Sequence, residues 1–596
     1  MHKWRLAAVV LSLWVMMDNL EAQTVSSKMR EERTVYHIGI LGAPSFPDAE
    51  NPALRPKWND ADLERMKALG FNAMQLNIAW AYRPYDEPLN LEDVVRLPDE
   101  FMLPMDTALS KNLRTPEKIR ERAAELRRRI ALCKKHGLHT IFHFGAPFVG
   151  FPPDLDEPLP QSTTDEHTVQ RYRTLIKEFG EEFPGVDDLL IYTYDQDAWM
   201  CSEFGPTPGC HGVPLAERES AFVNTLAHSW KLINPSGRLW WEPWEVSAGE
   251  VYRTMDSLDP DAVGLSIHSS VAEVMITNPA DRWFKNVVHK AANLGIPVIA
   301  EVFMGGPTEE MEPYTNIQCP LSTLRELQAV NSVGRLAGIK EYYGDVPEGD
   351  DPNLRMTGIF FHNPHTTEDD ALDELAKPYG PAANDVVRYW RLVTAAIETA
   401  PWDISWRFRR IGYSDPVHLM TAATLKGASW QTPSWQSSRR STFIRTDETD
   451  EPNFWMREDV QLRCEESASI MDQAIKVLSS AAKMIPRQHQ EAPEKSLTEL
   501  TGFRVRLLAY AYHLRETNLA DDLRSAKRLN LPVRKENVDE LRAILIKDQM
   551  NEGTREPIGA AIEMLDKDLD RFLATYFLPS EPTGAKDGRG SSITSN

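Results

Sequence analysis

Asp187-Asp-Leu-Leu-Ile-Tyr-Thr-Tyr-Asp-Gln-Asp-Ala-Trp-Met-Cys-Ser-Glu203 is the stretch whose reading decides the fold. It begins as a short apolar run of β type, Leu189 to Thr193, and then breaks into Asp195, Asp197, Trp199 and Glu203 ahead of a loop rich in Gly, Pro and Cys. A buried strand rarely ends in two carboxylates and an indole unless something polar is held there. In a barrel of parallel strands the chemistry is built at the C-terminal strand ends. The stretch therefore reads as the fourth strand of such a barrel, with one wall of a polar site at its tip.

Working outward, the same alternation recurs. Val35–Leu41 is strand-like, Asn59 caps a helix that stops at Gly70, and Phe71–Trp80 is a second strand. Thr115-Pro116 opens a helix ending at Gly137, with Thr as N-cap and Pro in the first turn. Leu138–Phe144 is a third strand and 168–183 a helix. After the fourth strand come a helix over Leu215–Ile233, strands at Arg238–Trp241 and Ala262–Ile267, and a helix over 279–294 ending at Gly295. Ile296–Ala300 is a seventh strand, 321–333 a helix and Leu336–Tyr343 an eighth strand, with Thr357–His362 a possible ninth. Crossovers long enough for helices imply parallel pairing, and eight units by residue 380 predict a closed (β/α)8 TIM barrel. No Gly-rich dinucleotide fingerprint follows the first strand, which lowers the case for an open nucleotide-binding sheet.

Beyond about residue 380 the strand signals fade. A helix is predicted over 383–399, Trp402 to Trp435 is irregular and aromatic-rich, and helices follow over 455–484, 496–517, 519–529, 535–549 and 556–576. The expected organisation is a signal peptide (1–22), a linker (23–33), the barrel (34–380), a mostly α-helical C-terminal domain (381–580) and a disordered tail (581–596).

At 596 residues the chain exceeds one core. The formal charge of −22 argues against nucleic acid or an anionic membrane as partner. His2, Lys3 and Arg5 precede the apolar run Leu6–Met17, with cleavage expected before Gln23, so the protein is expected to be secreted or periplasmic. That run is shorter than the ~20 residues of a membrane span. Cys201 and Cys210 are near enough to staple the loop after the fourth strand, or to remain two free thiols. There is no CxxC or HExxH pattern, so neither a metal nor another cofactor is expected.

Aligning the strand ends yields the functional reading. They carry Asn77 and Trp80, His143, Asp195 with Asp197 and Trp199, Glu242 with Trp244 and Glu245, His268, Glu301, and Glu341 with Tyr342 and Tyr343. Singly, each has a structural explanation: a capping carboxylate or a satisfied core histidine. Jointly they place carboxylates at four strand ends on one side of the barrel, interleaved with aromatic rings. Glycosidic bond cleavage needs two carboxyl groups in different environments, one protonated and one ionised. Asp195, Asp197, Glu242 and Glu301 are the candidates for those roles. Asn77, Trp80, His143, Trp199, Trp244, Glu245, His268, Glu341 and Tyr342 are expected to hold the sugar, with Trp241 and Tyr343 as further stacking candidates. Trp240 and Trp241 are successive, so at most one of them lines the cavity.

In these strand ends the chain resembles the (β/α)8-barrel glycoside hydrolases, many of which keep their acid/base and nucleophile at the ends of the fourth and seventh strands. The resemblance implies Asp195 or Asp197 at the acid/base position and Glu301, in Ile-Pro-Val-Ile-Ala-Glu301, at the nucleophile position. It departs from the largest clan in lacking an Asn-Glu pair on the fourth strand. The expectation is a secreted glycosidase acting on an oligo- or polysaccharide. The alternatives are a carbohydrate-binding barrel without catalysis and a metal-assisted hydrolase using Asp195, Asp197, His143 and His268.

Overall fold

The computed structural model describes residues 35–41, 58–77, 90–102, 114–147, 161–193, 203–243, 246, 248–269, 280, 282–304, 314, 316–342, 351–401, 454–551 and 556–577. The signal-peptide and linker expectations, the tail and the Trp402–Trp435 region lie outside them. Eight parallel strands close into a barrel in chain order: β1 Tyr36–Ile40, β2 Ala73–Gln75, β3 His139–Gly145, β4 Asp188–Tyr192, β5 Leu239–Glu242, β6 Val263–His268, β7 Val298–Val302 and β8 Gly338–Glu341. The register is set by pairs such as Tyr192 with Glu242, His268 with Glu301, and Glu301 with Lys340.

The helices between strands start and stop where local chemistry dictates. Asn59 accepts from the Asp62 N–H to cap α1 (Asp60–Ala68). A short helix, α2 (Leu91–Val94), follows. Thr115 and Pro116 open α3 (Pro116–Lys135) as expected. α4 is Glu166–Glu182, α5 Leu215–Ile233, α6 Ala248–Thr254, α7 Arg282–Leu294 and α8 Pro320–Val333. Gly137 and Gly295, after α3 and α7, take left-handed backbone at φ +68° and +78°, which stops each helix at little steric cost.

Three expectations fail, one of them the single helix expected over 556–576, which is two because the Asp568 side chain caps a new helix at Leu569. The ninth strand candidate is a helix, α9 (Pro352–His362), capped by Asp351 with Pro at its first turn. Pro352, Asn353, Leu354, Met356, Thr357, Gly358 and Phe360 are all buried, so burial around most of the helix erased the 3.6-residue period that would have revealed it. The helices expected over 496–517 and 519–529 are one, α13 (Glu491–Arg528). Thr517 Oγ donates to the His513 carbonyl one turn back, and Asn518 accepts from Arg457, so neither polar side chain caps a break. α10 (Glu368–Ala376), α11 (Ala383–Thr399), α12 (Phe454–Ala481), α14 (Lys535–Asn551), α15 (Glu556–Lys567) and α16 (Leu569–Thr575) complete the helical region.

Among the described residues the core has three parts. Ile38, Ala73, Ile141, Leu190, Trp240, Ile299 and Ala337 fill the barrel interior. A second cluster lies between the strands and the surrounding helices and runs without interruption into α11, α12 and the first half of α13. A third, from Leu519 to Phe577, closes the far end of the bundle. The first helices after the barrel thus share its core. No helix among the described residues is long and apolar enough to cross a membrane.

Candidate functional site

Strand parity builds the site. Ile141, Leu190, Trp240 and Ile299 point inward, so residues two further along each strand, His143, Tyr192, Glu242 and Glu301, also face inward at the C-terminal end. Ser266, His268 and Lys340 join them, as their contacts show. An apolar lower interior thus gives way to a polar upper layer.

Glu301 is 1% exposed. Its Oε1 accepts from Ser266 Oγ at 2.5 Å and lies 3.3 Å from the Lys340 ammonium; its Oε2 lies 3.3 Å from His268 Nε2. Burial on its own would raise the Glu301 pKa, but Lys340, His268 and the Ser266 hydroxyl hold it below the usual glutamate value. The carboxyl is therefore ionised at neutral pH. His268 packs edge-on against Tyr342, with ring centroids 4.4 Å apart.

Glu242 is equally buried, with Oε2 3.7 Å from His143 Nε2. Burial, reinforced by Lys340, pushes the His143 pKa well below the imidazole norm, so this ring is neutral. Gln75 Nε2 donates to the Asn77 carbonyl at 2.8 Å and stands 3.2 Å from His143 Nδ1. An amide nitrogen facing Nδ1 makes that ring atom the acceptor, which leaves the proton on Nε2, toward Glu242.

One oxygen of Glu242, one of Glu301 and a ring nitrogen of His268 lie within 4.8 Å of one another. By donor type this group could ligate a metal ion. Lys340 argues otherwise, because its ammonium already sets a positive charge against Glu301. The set expected for a metal was different, and of its four members only His143 and His268 are described.

The structure brings together Glu242, Glu301, His143, His268 and Tyr342. Asn77 is used otherwise: its amide donates to the His143 carbonyl at 2.6 Å and accepts from the His143 N–H at 2.8 Å, clamping β3 beyond β2. Glu341 accepts from the Met304 N–H at 2.7 Å and fixes the chain where it leaves β7. Trp241 faces the helices and is fully buried there, while Trp240 fills the lower barrel and donates to Asp188, so neither indole stacks on a ligand. Asp195, Asp197, Trp80, Trp199, Trp244, Glu245 and Tyr343 lie outside the described residues. Cys210 is disulfide-bonded and Cys133, Cys319 and Cys464 are free thiols, which leaves Cys201, outside the described residues, as the chain's remaining cysteine. Sequence reasoning missed Ser266 and Lys340. Register would have found both, since Ser266 pairs with the inward Ile299 and Lys340 with Glu301 itself.

No protein-family model matches the chain, and no curated protein is similar to it in sequence. Solved structures are. A glycoside hydrolase family 138 enzyme targeting pectin rhamnogalacturonan II superposes with a TM-score of 0.55 at 11% identity, over 90% of this chain and 62% of that one. The likeness is one of fold. This chain spans less than two thirds of that enzyme's length. An endo-glycoceramidase II from Rhodococcus sp. matches 53% of this chain and 75% of its own at 13% identity, with a TM-score of 0.32. A family 5 glycoside hydrolase from Prevotella bryantii, bound to a xyloglucan oligosaccharide, matches 55% of this chain and 96% of its own at 10% identity, with a TM-score of 0.34.

Proposed function

We propose that this protein is an exported glycoside hydrolase acting on an oligo- or polysaccharide, with Glu301 as nucleophile and Glu242 as acid/base. The observation that carries the reading is the approach of these two buried carboxyl groups, on β5 and β7, to within 4.8 Å at the barrel mouth. That separation fits a retaining mechanism, for which about 5–5.5 Å is usual, better than an inverting one, which needs roughly 6.5–9.5 Å to admit water.

Glu301, ionised and held at Oε1 by Ser266 and Lys340, attacks the anomeric carbon through Oε2. The bond to the leaving oxygen breaks, and that oxygen keeps the bonding pair and takes the Glu242 proton. Glu242 then removes a proton from water, which attacks the same carbon and releases Glu301. Neutral His143 sets its Nε2–H toward Glu242 and orients that carboxyl.

The test is a panel of 4-nitrophenyl α- and β-glycosides together with polysaccharides. Pectin comes first among these, because it is the target of the family 138 enzyme. Glu301→Gln and Glu242→Gln should each lower turnover on the order of 10⁴-fold while folding is intact, and chelator should change nothing. Full activity in Glu242→Gln with loss in Asp195→Asn or Asp197→Asn would move the proton donor to the end of β4. Glycan binding without turnover would replace the hydrolase with a binding barrel.

A further inference from the structure

The chain leaves β7 after Val302 and enters α8 at Pro320, and Met304 and residues 316–319, near the two ends of that connection, are both gripped. Met304 donates its N–H to Glu341 and accepts from Thr357 Oγ at 2.8 Å. At the returning end the grip comes from the C-terminal bundle. The Asn316 backbone and side-chain amides both donate to the Glu499 carboxylate, each at 2.5 Å. The Gln318 N–H donates to Ser496 Oγ at 2.9 Å, and that hydroxyl also meets Tyr389 Oη at 2.6 Å. Gln318 Oε1 accepts from Trp390 Nε1. Tyr314 lies so close to Gly502 that a methyl group there would stand 2.8 Å from its ring.

Ser496, Glu499 and Gly502 recur every third residue and so form one stripe on α13. They meet Gln318, Asn316 and Tyr314 in the opposite chain direction, a register of alternate loop residues against one helix face. Two of the contacts satisfy loop backbone N–H groups, so they fix where the main chain runs as well as burying side chains.

We infer that this stripe of α13 is a positioning element for the barrel site: it fixes residues 316–319, whose Ile317 carbonyl and Cys319 N–H are held by Asn353 of α9, and α9 in turn grips Met304, just past the β7 tip, through Thr357. The inference rests on the assignment of Glu301 as nucleophile. None of the three α13 residues touches substrate; they act through residues 316–319 and α9 on the end of β7.

The experiment compares Glu499→Ala, Glu499→Gln and Gly502→Ala in the full chain. Alanine at 502 favours the helix itself, so any kinetic loss there comes from displacing Tyr314. Expected are a fall in kcat/KM of about 10-fold or more for Glu499→Ala and Gly502→Ala, a partial return in Glu499→Gln, and Tm close to the parent. Amide hydrogen exchange should also quicken in 298–304, beyond the contact itself. Parental kcat and KM with unchanged exchange at 298–304 would reduce the stripe to packing. If the parent cleaves no glycoside, the proposed function falls alone, because exchange at the β7 tip still decides the positioning claim.

Discussion

Glu301 in the barrel mouth and Glu219, on α5 against Thr254 of α6, are equally hidden, at 1% and 0% exposure, and their carboxyls move in opposite directions. Burial lifts Glu219 to about 8, helped by Glu250 and only partly offset by the Thr254 hydroxyl at 3.0 Å and by Arg218. Arg218 is the adjacent residue on the helix, and its Nε–H donates to the Val213 carbonyl. Burial in the helical bundle likewise lifts Glu516, with Asp548 adding to it. Desolvation acts on all three carboxyls. What separates Glu301 is a cation delivered by the next strand in register, Lys340, with His268 and Ser266 in support. A buried glutamate in this fold is an acid by default and becomes an anion only where a neighbour is built to hold it so.

Lys340→Met should break this distinction most strongly. Removing one partner of a buried ion pair costs about 3–5 kcal/mol of stability and returns Glu301 toward the condition of Glu219. With its depressed pKa, Glu301 in the parent contributes stability and activity that are present above the unfolded value of about 4.3 and lost only as pH falls through the lower folded value. Without Lys340 the acid limb of kcat/KM should move up by about 1–3 units, and turnover at neutral pH should drop on the order of 100-fold. A pH–rate profile checks this. An acid limb that stays in place would mean that another group, not Glu301, governs it.

Ser266→Ala sharpens the comparison with a smaller change. It deletes one hydrogen bond to a charged acceptor, worth about 1.5–3 kcal/mol, while leaving the ion pair. A loss in kcat/KM of about 10-fold and a slight upward move of the acid limb are expected. Equal losses in Ser266→Ala and Lys340→Met would show that geometry at Oε1, rather than charge, sets the behaviour of Glu301.

Much of the fold was legible because local signals agreed with one another. Asn59, Thr115 with Pro116, Gly137 and Gly295 mark helix ends that the structure keeps, and the eight apolar runs are the eight strands of the closed barrel. Legibility ended where burial removed the pattern, as in α9, or where polar residues that usually break a helix were satisfied inside it, as at Thr517 and Asn518. At the site, residue type pointed to Glu242, Glu301, His143 and His268, which do converge. It also pointed to Asn77 and Glu341, whose side chains hold backbone instead. Lys340 went unread because a strand lysine beside a glutamate looks like a solvated pair. Its identity as the counter-ion follows from register with Glu301, which composition does not carry.

Glu219→Gln probes the other side of the comparison and should leave turnover at pH 7 unchanged, since among the described residues its hydrogen bond is to Thr254, between helices. Its effect lies in stability. For an acid whose folded pKa is raised, the unfolded chain ionises from about 4.3 upward while the native carboxyl keeps its proton until about 8. The native state therefore loses about 1.36 kcal/mol per pH unit across that window, is fully stable with respect to this group below it, and loses nothing further above. Glutamine has no proton to lose and can still accept from Thr254, so the variant's Tm should stop falling between pH 5 and 8 while matching the parent near pH 4. Parallel Tm–pH curves for the two proteins would mean that Glu219 is ionised in the fold. Glu301→Gln should do the reverse, steepening no alkaline loss and removing the acid one, because Lys340 has already reversed the sign of burial at that carboxyl.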